Sequence, residues 1–392
     1  MNSKLVTHPM FDRIGEENAF AVLARATALA ATGKDIINLG IGQPDFKTPE
    51  HIVDAAIKAL KDGHHGYTPA NGLLECREAV VRRTLELTGV EVLPESIMIT
   101  PGGKPAMYAA IIMFGEPGAE IMYPDPGFPI YRSMIEATGA TPIPVPIREE
   151  NGFAFSAAET LSLITDKTRL LILNSPANPT GGVTPQSEID ALVKGLAEHP
   201  HVAILSDEIY DVMTYDGMSH TSLLKYPEIR DRLIVLNGWS KTWAMTGWRM
   251  GWSIWPDRLY ENVRKLAVNC WSCVNAPAQF GGIAAIDGPQ DAVATMMAAF
   301  DERRVRVTEL LNAVPNVRCA VPKGAFYAFP NISATGHKSK PLASALLEEA
   351  GVALIGGPDF GMLGEGYIRV SYANSLENIE KALERVRNYL GD

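Results

Sequence analysis

One lysine stands where lysines are uncommon. The stretch Asn237–Gly251 reads NGWSKTWAMTGWRMG, and it follows the apolar run Leu233–Leu236, the pattern of a buried parallel strand. The chain passes from that strand into a turn that presents Lys241. Arg249 follows it beyond a second glycine. Trp239, Trp243 and Trp248 flank the lysine, which suggests a partly desolvated pocket. Desolvation lowers the pKa of an amine and makes it a nucleophile suited to Schiff-base chemistry. A solvated lysine beside core tryptophans is the other reading of the same residues.

More residues capable of chemistry stand at the ends of apolar runs. Ile97–Thr100 leads into Pro101-Gly102-Gly103-Lys104 and then a helix over 105–114. Glycines at a strand-to-helix turn bare backbone N–H groups at the positive end of a helix dipole, an anion cradle suited to phosphate; a plain tight turn has the same composition. The strand 119–123 ends in PDPGFP, which carries Phe128, either a ring to stack on a flat ligand or a core residue. The strand 168–173 ends in NSPANPTGG, where Asn178 offers an amide to a ligand oxygen. The strand 202–205 ends in SDEIY. Asp207 there needs a cation or hydrogen-bond donors unless it caps a helix, and Tyr210 follows it.

The elements that must position these groups follow from the alternation. Short apolar strands separated by helical stretches imply an α/β fold with a mostly parallel sheet, and ligands in such folds sit beyond the carboxyl ends of the strands. We expect a three-layer α/β/α unit over residues 48–287. The pattern changes near Gly288: a long helix over 291–314, strand-like residues 318–321, GAFYAF, a helix over 342–349, the strand YIRVSYA and a last helix. These predict a smaller α+β unit over 288–392, joined by the N-terminal segment 1–47. Arg369 lies inside the strand 367–372, either gripping a carboxylate with its fork or exposed on an edge. Near the start, a helix runs to about Thr32, and INLGIGQPDF forms a glycine-containing loop through Gly42. Thr48 is expected to cap a helix that has Pro49 in its first position. Tyr67 sits in the loop HHGYTPANG.

Bulk properties narrow the classes. The chain has 392 residues and a formal net charge of −10, which argues against a nucleic-acid or anionic-membrane partner. No apolar run reaches membrane-spanning length. The Ala-rich segment 19–31 contains Arg25 and follows Glu16 and Glu17, so it reads as an amphipathic helix rather than a signal peptide. Four cysteines point to a reducing compartment, and the expected location is cytoplasmic. Cys270 and Cys273 form a lone CxxC without the further ligands a zinc site needs; two small apolar residues in a helix or loop is the better reading, and no metal is expected.

The segments NSPANPTGG, SDEIY, NGWSKTWAMTGWRMG and YIRVSYAN, in this order, closely resemble the class I and II aminotransferases, pyridoxal-phosphate enzymes of fold type I. The resemblance runs from INLGIGQPDF past Arg369. It implies that Lys241 holds the cofactor as a Schiff base and then moves a proton at the substrate Cα. It implies that Asp207 partners the pyridine nitrogen, that Tyr210 and Asn178 bond the ring's phenolic oxygen, and that Phe128 stacks on the ring. Gly102, Gly103 and Lys104 would form the phosphate turn, with Ser240 and Arg249 as further phosphate ligands. Arg369 would hold the substrate α-carboxylate, with Gly42 and Asn178 beside it. Tyr67 would reach the phosphate of a neighbouring subunit, which implies a homodimer. The implied reaction is a ping-pong transfer of an α-amino group from an L-amino acid to a 2-oxo acid, with 2-oxoglutarate as the expected acceptor.

The chain also departs from that family's pattern. Gly238 stands where many members carry a serine, Phe128 replaces a Trp or Tyr, and Asn269–Cys273 lacks the second arginine of some dicarboxylate-specific members. Two rivals share the cofactor fold: an elimination, decarboxylation or synthase chemistry, and a non-enzymatic sensor. An acidic chain that opens almost directly on the catalytic pattern disfavours the sensor.

Overall fold

The computed structural model describes residues 5–15 and 17–391; Glu16, one of the two glutamates ahead of the Ala-rich helix, lies outside them. Twelve strands are described: β1 (Ile37–Asn38), β2 (Ile97–Thr100), β3 (Glu120–Asp125), β4 (Thr141–Pro146), β5 (Thr168–Asn174), β6 (Ala203–Asp207), β7 (Leu233–Gly238), β8 (Gly251–Ile254), β9 (Tyr327–Ala328), β10 (Val352–Ala353), β11 (Ile355–Gly356) and β12 (Ile368–Ser371). Seven form one sheet in the order β2-β8-β7-β6-β5-β3-β4. The pairs from β7 to β4 are parallel, and β8 is antiparallel to both of its neighbours. The carboxyl ends of β2, β7, β6, β5 and β3 therefore share one edge of the sheet.

Successive strand residues point to opposite faces, and both faces are covered. Ile97, Ile99, Leu171 and Leu173 join one buried cluster with the helices Glu50–Lys61, Leu74–Thr88, Gln186–Leu196 and Ala276–Asp287. Met98, Leu170 and Ile172 join another with the helices Lys104–Phe114, Ile130–Thr138 and Asp257–Cys270. Burial on both faces explains why these strands read as unbroken apolar runs. Each such side chain contributes about 1.5–3 kcal/mol. The three layers expected from the sequence are these.

β4 carries Pro142, Pro144 and Pro146, and it pairs only with β3. Proline cannot donate to a ladder, so an edge is where such a strand is tolerated.

A third cluster lies around the short strands of the C-terminal part, where Phe300, Leu311, Leu342, Val352, Val370 and Leu383 pack together. Its helices are Asp291–Asn312, Ser339–Ala345 and Leu376–Gly391. β12 is the middle strand between β11 and β9, antiparallel to both. β1 pairs in parallel with β10, which ties the N-terminal segment to this part.

Two local expectations are corrected. Residues 318–321 form no strand: Arg318 makes an isolated bridge to Asn331. Thr48 does not cap the helix Glu50–Lys61, whose start at Pro49 has no side-chain cap. Its hydroxyl instead donates to the Ala244 carbonyl at 2.9 Å and accepts from Trp248 Nε1 at 3.0 Å. It fastens the lysine loop. Among the described residues, no helix is long and apolar enough to cross a membrane.

Candidate active site

Three glycines let the strand exits close on one another. Gly238 ends β7 and pairs with Gly251 of β8, which pairs with Thr100 of β2. A Cβ on Gly251 would lie 2.5 Å from the Gly102 carbonyl carbon. Gly102 itself has φ +87°, and a Cβ there would lie 2.2 Å from Nη2 of Arg249. The turn at 101–103 and the guanidinium of Arg249 are therefore pressed together. Arg249 adopts the left-handed region at φ 53°, with Nη1 donating to the Thr246 carbonyl at 2.8 Å. The N–H of Gly102 donates to the Thr100 carbonyl at 2.8 Å. The helix begins at Lys104, and its first N–H groups lack intrahelical partners. The helix start at Gly103–Lys104 and the guanidinium of Arg249 beside Gly102 thus outline an anion-friendly corner.

Gly102→Ala is expected to cost about 1–2 kcal/mol more stability than Gly33→Ala, read from denaturant midpoints. Gly33 has a similar φ of +90° but open space where its Cβ would go, so it isolates the backbone strain from the clash with Arg249.

Lys241 sits in the short helical turn Trp239–Thr242 after β7. Its Nζ donates to the Gly42 carbonyl at 2.6 Å. The rings beside it are Tyr210 and Phe326, with centroids 6.0 and 5.8 Å from Nζ. Burial, then the nearby charge of Arg369, lowers its pKa to about 8. The indole N–H groups of the flanking tryptophans are engaged elsewhere. Trp239 donates to the Gly282 carbonyl and packs on Trp252, Trp243 donates to Gln290, and Trp248 donates to Thr48. They anchor the loop from behind, and the apolar wall comes from residues distant in sequence.

Asp207 ends β6 and is buried. Its Oδ2 accepts from the Tyr131 hydroxyl at 2.6 Å and its Oδ1 from the Ile209 N–H at 3.2 Å. Burial pushes its pKa up to about 6 against the pull of these donors. A carboxylate so enclosed favours a cationic partner over isolation. The Asn174 amide holds the Asp207 carbonyl at 3.0 Å, and next door burial of Glu208 is more than offset by His220 at 3.1 Å, which keeps that carboxyl below its usual range.

Tyr210 and Tyr327 share a hydrogen bond between hydroxyls at 2.8 Å. A Cβ on Gly42 would lie 2.2 Å from the Tyr327 oxygen, so only glycine lets the loop approach that pair. Arg369 is buried in β12, its guanidinium 4.6 Å from the Tyr327 centroid and 4.7 Å from that of Phe360. Nη1 donates to Asn178 Oδ1 at 2.9 Å and Nη2 to the Gly40 carbonyl. Its Nε is buried with no partner among the described residues. The arginine is not on an edge: its strand is central, and it lies between two aromatic rings.

Phe128 meets Tyr131 edge-on at 5.7 Å. Lys104 turns its ammonium away from the glycine turn to Glu17, at 2.6 Å. Tyr67 is 94 % exposed and joins none of these contacts. Asp207, Tyr210, Lys241, Asn178, Arg369 and Gly42 converge; the Gly102–Arg249 corner adjoins them. Tyr131, Tyr327, Phe326 and Glu17 belong to the same cleft but were missed in the sequence. Only Tyr131, three residues beyond Phe128 in PGFPIY, gave a local signal.

The architecture has close counterparts. The family model for aminotransferase class I and II matches residues 34–386. The chain belongs to that family. An aspartate aminotransferase of Geobacillus stearothermophilus is 36 % identical over 376 residues, covering 94 % of this chain and 95 % of the relative. An aromatic-amino-acid aminotransferase of Thermococcus litoralis is 38 % identical over 367 residues, covering 92 % and 93 %. The crystal structure of an aspartate aminotransferase from Rhizobium meliloti superposes with a TM-score of 0.94 at 31 % identity, covering 99 % of each chain. This aminotransferase accordingly acts on amino acids and oxo acids, and the family generally uses pyridoxal phosphate. The thiols Cys270 and Cys273 are free, exposed and half-buried respectively, and stand outside the residues gathered at the cleft.

Proposed function

We propose that this aminotransferase moves an α-amino group from an L-amino acid to 2-oxoglutarate, using pyridoxal phosphate held in this cleft. The observation that carries the reading is the placement of an amine and a buried carboxylate at neighbouring strand exits: Lys241 in the turn after β7 and Asp207 at the end of β6, with burial lowering the pKa of the first and raising that of the second. The donor set fits the cofactor. The Gly102–Arg249 corner suits its phosphate, Asp207 its ring nitrogen, Tyr210 and Asn178 its phenolic oxygen, and Phe128 the ring face. When bound, pyridoxal phosphate supplies an aldehyde for an amine and a ring that accepts the electron pair left as the Cα–H bond breaks.

The chain's own residues do the rest. Lys241 Nζ takes the proton from the substrate Cα and returns it on the other side of the transfer. At pH 7 a group of pKa 8 is about one-tenth neutral, against about three parts in ten thousand for an unperturbed lysine, so burial makes the base available. Asp207 keeps a proton on the ring nitrogen by presenting a negative charge in a dry site. Arg369 binds the α-carboxylate. Its two present acceptors, an amide and a carbonyl, are neutral and yield to an anion. With the carboxylate fixed there, the Cα–H bond is turned toward Lys241. Gly42 contributes its carbonyl, which holds the amine in place. Amino acid and oxo acid use the cleft in turn.

We further infer a cleft between a unit of residues 48–287 and one of 1–47 with 288–392, and a homodimer in which the exposed Tyr67 reaches a neighbour's phosphate corner. The reading is tested by mixing cofactor-loaded protein with single amino acids and following the cofactor's absorbance. Conversion to the aminated form, reversed by 2-oxoglutarate with stoichiometric glutamate, is expected. Release of ammonia, thiol or carbon dioxide instead would assign one of the rival chemistries.

A further inference from the structure

A carboxylate from the N-terminal segment reaches across the cleft. The helix Asn18–Ala31 is fastened to the C-terminal part: Asn18 bonds Asp359, which Lys340 also meets at 2.6 Å, and Arg25 bonds Ser344 at 3.0 Å. Glu17, immediately before this helix, instead joins the seven-stranded unit. Its Oε2 accepts from Lys104 Nζ at 2.6 Å, with side-chain exposures of 18 % and 45 %. The same ammonium lies 5.6 Å from the ring centroids of both Phe20 and Phe128. Glu17 is also near enough to Lys241 and Arg369 for its charge to raise the pKa of each. A carboxylate, an ammonium and two rings thus form a wall of the cleft that holds the base and the arginine.

We propose that Glu17 is a specificity-determining residue, an internal stand-in for the second carboxylate of a dicarboxylic substrate. The proposal rests on the transamination reading and deepens it. With Glu17 on Lys104, a small or aromatic side chain meets a neutral wall with two rings. A dicarboxylate brings its own anion to that wall and must displace Glu17, which moves out toward water. Glu17 therefore competes with aspartate and 2-oxoglutarate more than with alanine, which brings no second carboxylate to that wall. A partly exposed pair of this kind resists displacement modestly, and like-charge repulsion of the incoming anion adds to that resistance.

The test compares wild type, Glu17→Gln and Glu17→Asp. Maleate, a dicarboxylate without an amino group to transfer, is titrated calorimetrically at low salt into cofactor-loaded protein. Half-reactions with alanine and aspartate are timed on the same preparations. Glu17→Gln is expected to bind maleate about tenfold tighter, about 1.4 kcal/mol. It is also expected to raise the aspartate-to-alanine ratio of kcat/KM by a similar factor. Glu17→Asp, which restores the charge, should return both readings toward wild type; a merely structural role for Glu17 would not separate the two substrates. Maleate affinity and substrate ratio within about twofold of wild type in Glu17→Gln, or a loss of maleate binding, would overturn the proposal. Absence of both half-reactions in wild type would sink the transamination reading instead, and maleate binding would still decide the role of Glu17.

Discussion

Lys241→Ala is expected to lower kcat by at least about 10^3- to 10^4-fold while leaving the cleft able to take up pyridoxal phosphate. The expectation follows from what the side chain does and does not hold together. Its one described hydrogen bond is to the Gly42 carbonyl, and its loop is anchored independently by Trp239, Trp243 and Trp248. The residues that suit the phosphate and ring are elsewhere, on the glycine turn, Arg249 and Asp207. A lysine whose pKa is lowered by burial also carries a desolvation cost as an ammonium. Its removal should therefore leave the melting temperature at or above that of wild type. Single-turnover rates, cofactor binding by dialysis and thermal melts check the three parts. A variant that turns over normally, or one that fails to fold, would contradict this account of the residue.

The second large effect is at Asp207. Asp207→Asn keeps the shape and can still accept from Tyr131, but it replaces an anion with a dipole. Loss of a fixed charge in a dry site costs about 10^2- to 10^3-fold in kcat. The pH dependence gives a separate signature. The wild-type carboxyl titrates near 6 in the cofactor-free protein because burial raises it. It is ionised above that value and becomes neutral as the pH falls through it. Cofactor affinity in the wild type should thus weaken below about pH 6, and this acid limb should be missing in Asp207→Asn. A variant with an unchanged acid limb would place the titrating group elsewhere.

Much of the fold was legible because it is written locally. Ile97–Thr100 and Leu233–Leu236 are apolar runs that end in glycine-bearing turns, and burial on both sheet faces keeps them unbroken. Lys241, Asp207 and Asn178 could be singled out as candidates because each follows such a run. Arg369 could be found as a charge inside an apolar strand, but its placement depended on β12 being central, which pairing with distant β9 and β11 decides.

What was not legible depends on contacts between distant residues. Tyr131 meets Asp207, and Tyr210 meets Tyr327, across 76 and 117 positions. Neither tyrosine partner follows from spacing. The tryptophans pointed to the buried setting of Lys241, but the rings of Tyr210 and Phe326 beside its amine come from distant positions. β8 was hidden because it starts on the last residue of the lysine motif, and β4 behind its prolines. Glu17 looked like a charge ahead of a helix; its partner Lys104 lies 87 positions away.

The central claim is that the amine of Lys241 forms a covalent bond with the aldehyde of pyridoxal phosphate. Purified protein incubated with pyridoxal phosphate at pH 8, reduced with borohydride and digested, should yield a peptide containing Lys241 that carries one pyridoxyl group, absent from Lys241→Ala. A wild-type digest in which that peptide is unlabelled, or in which the label falls only on other lysines, would contradict it.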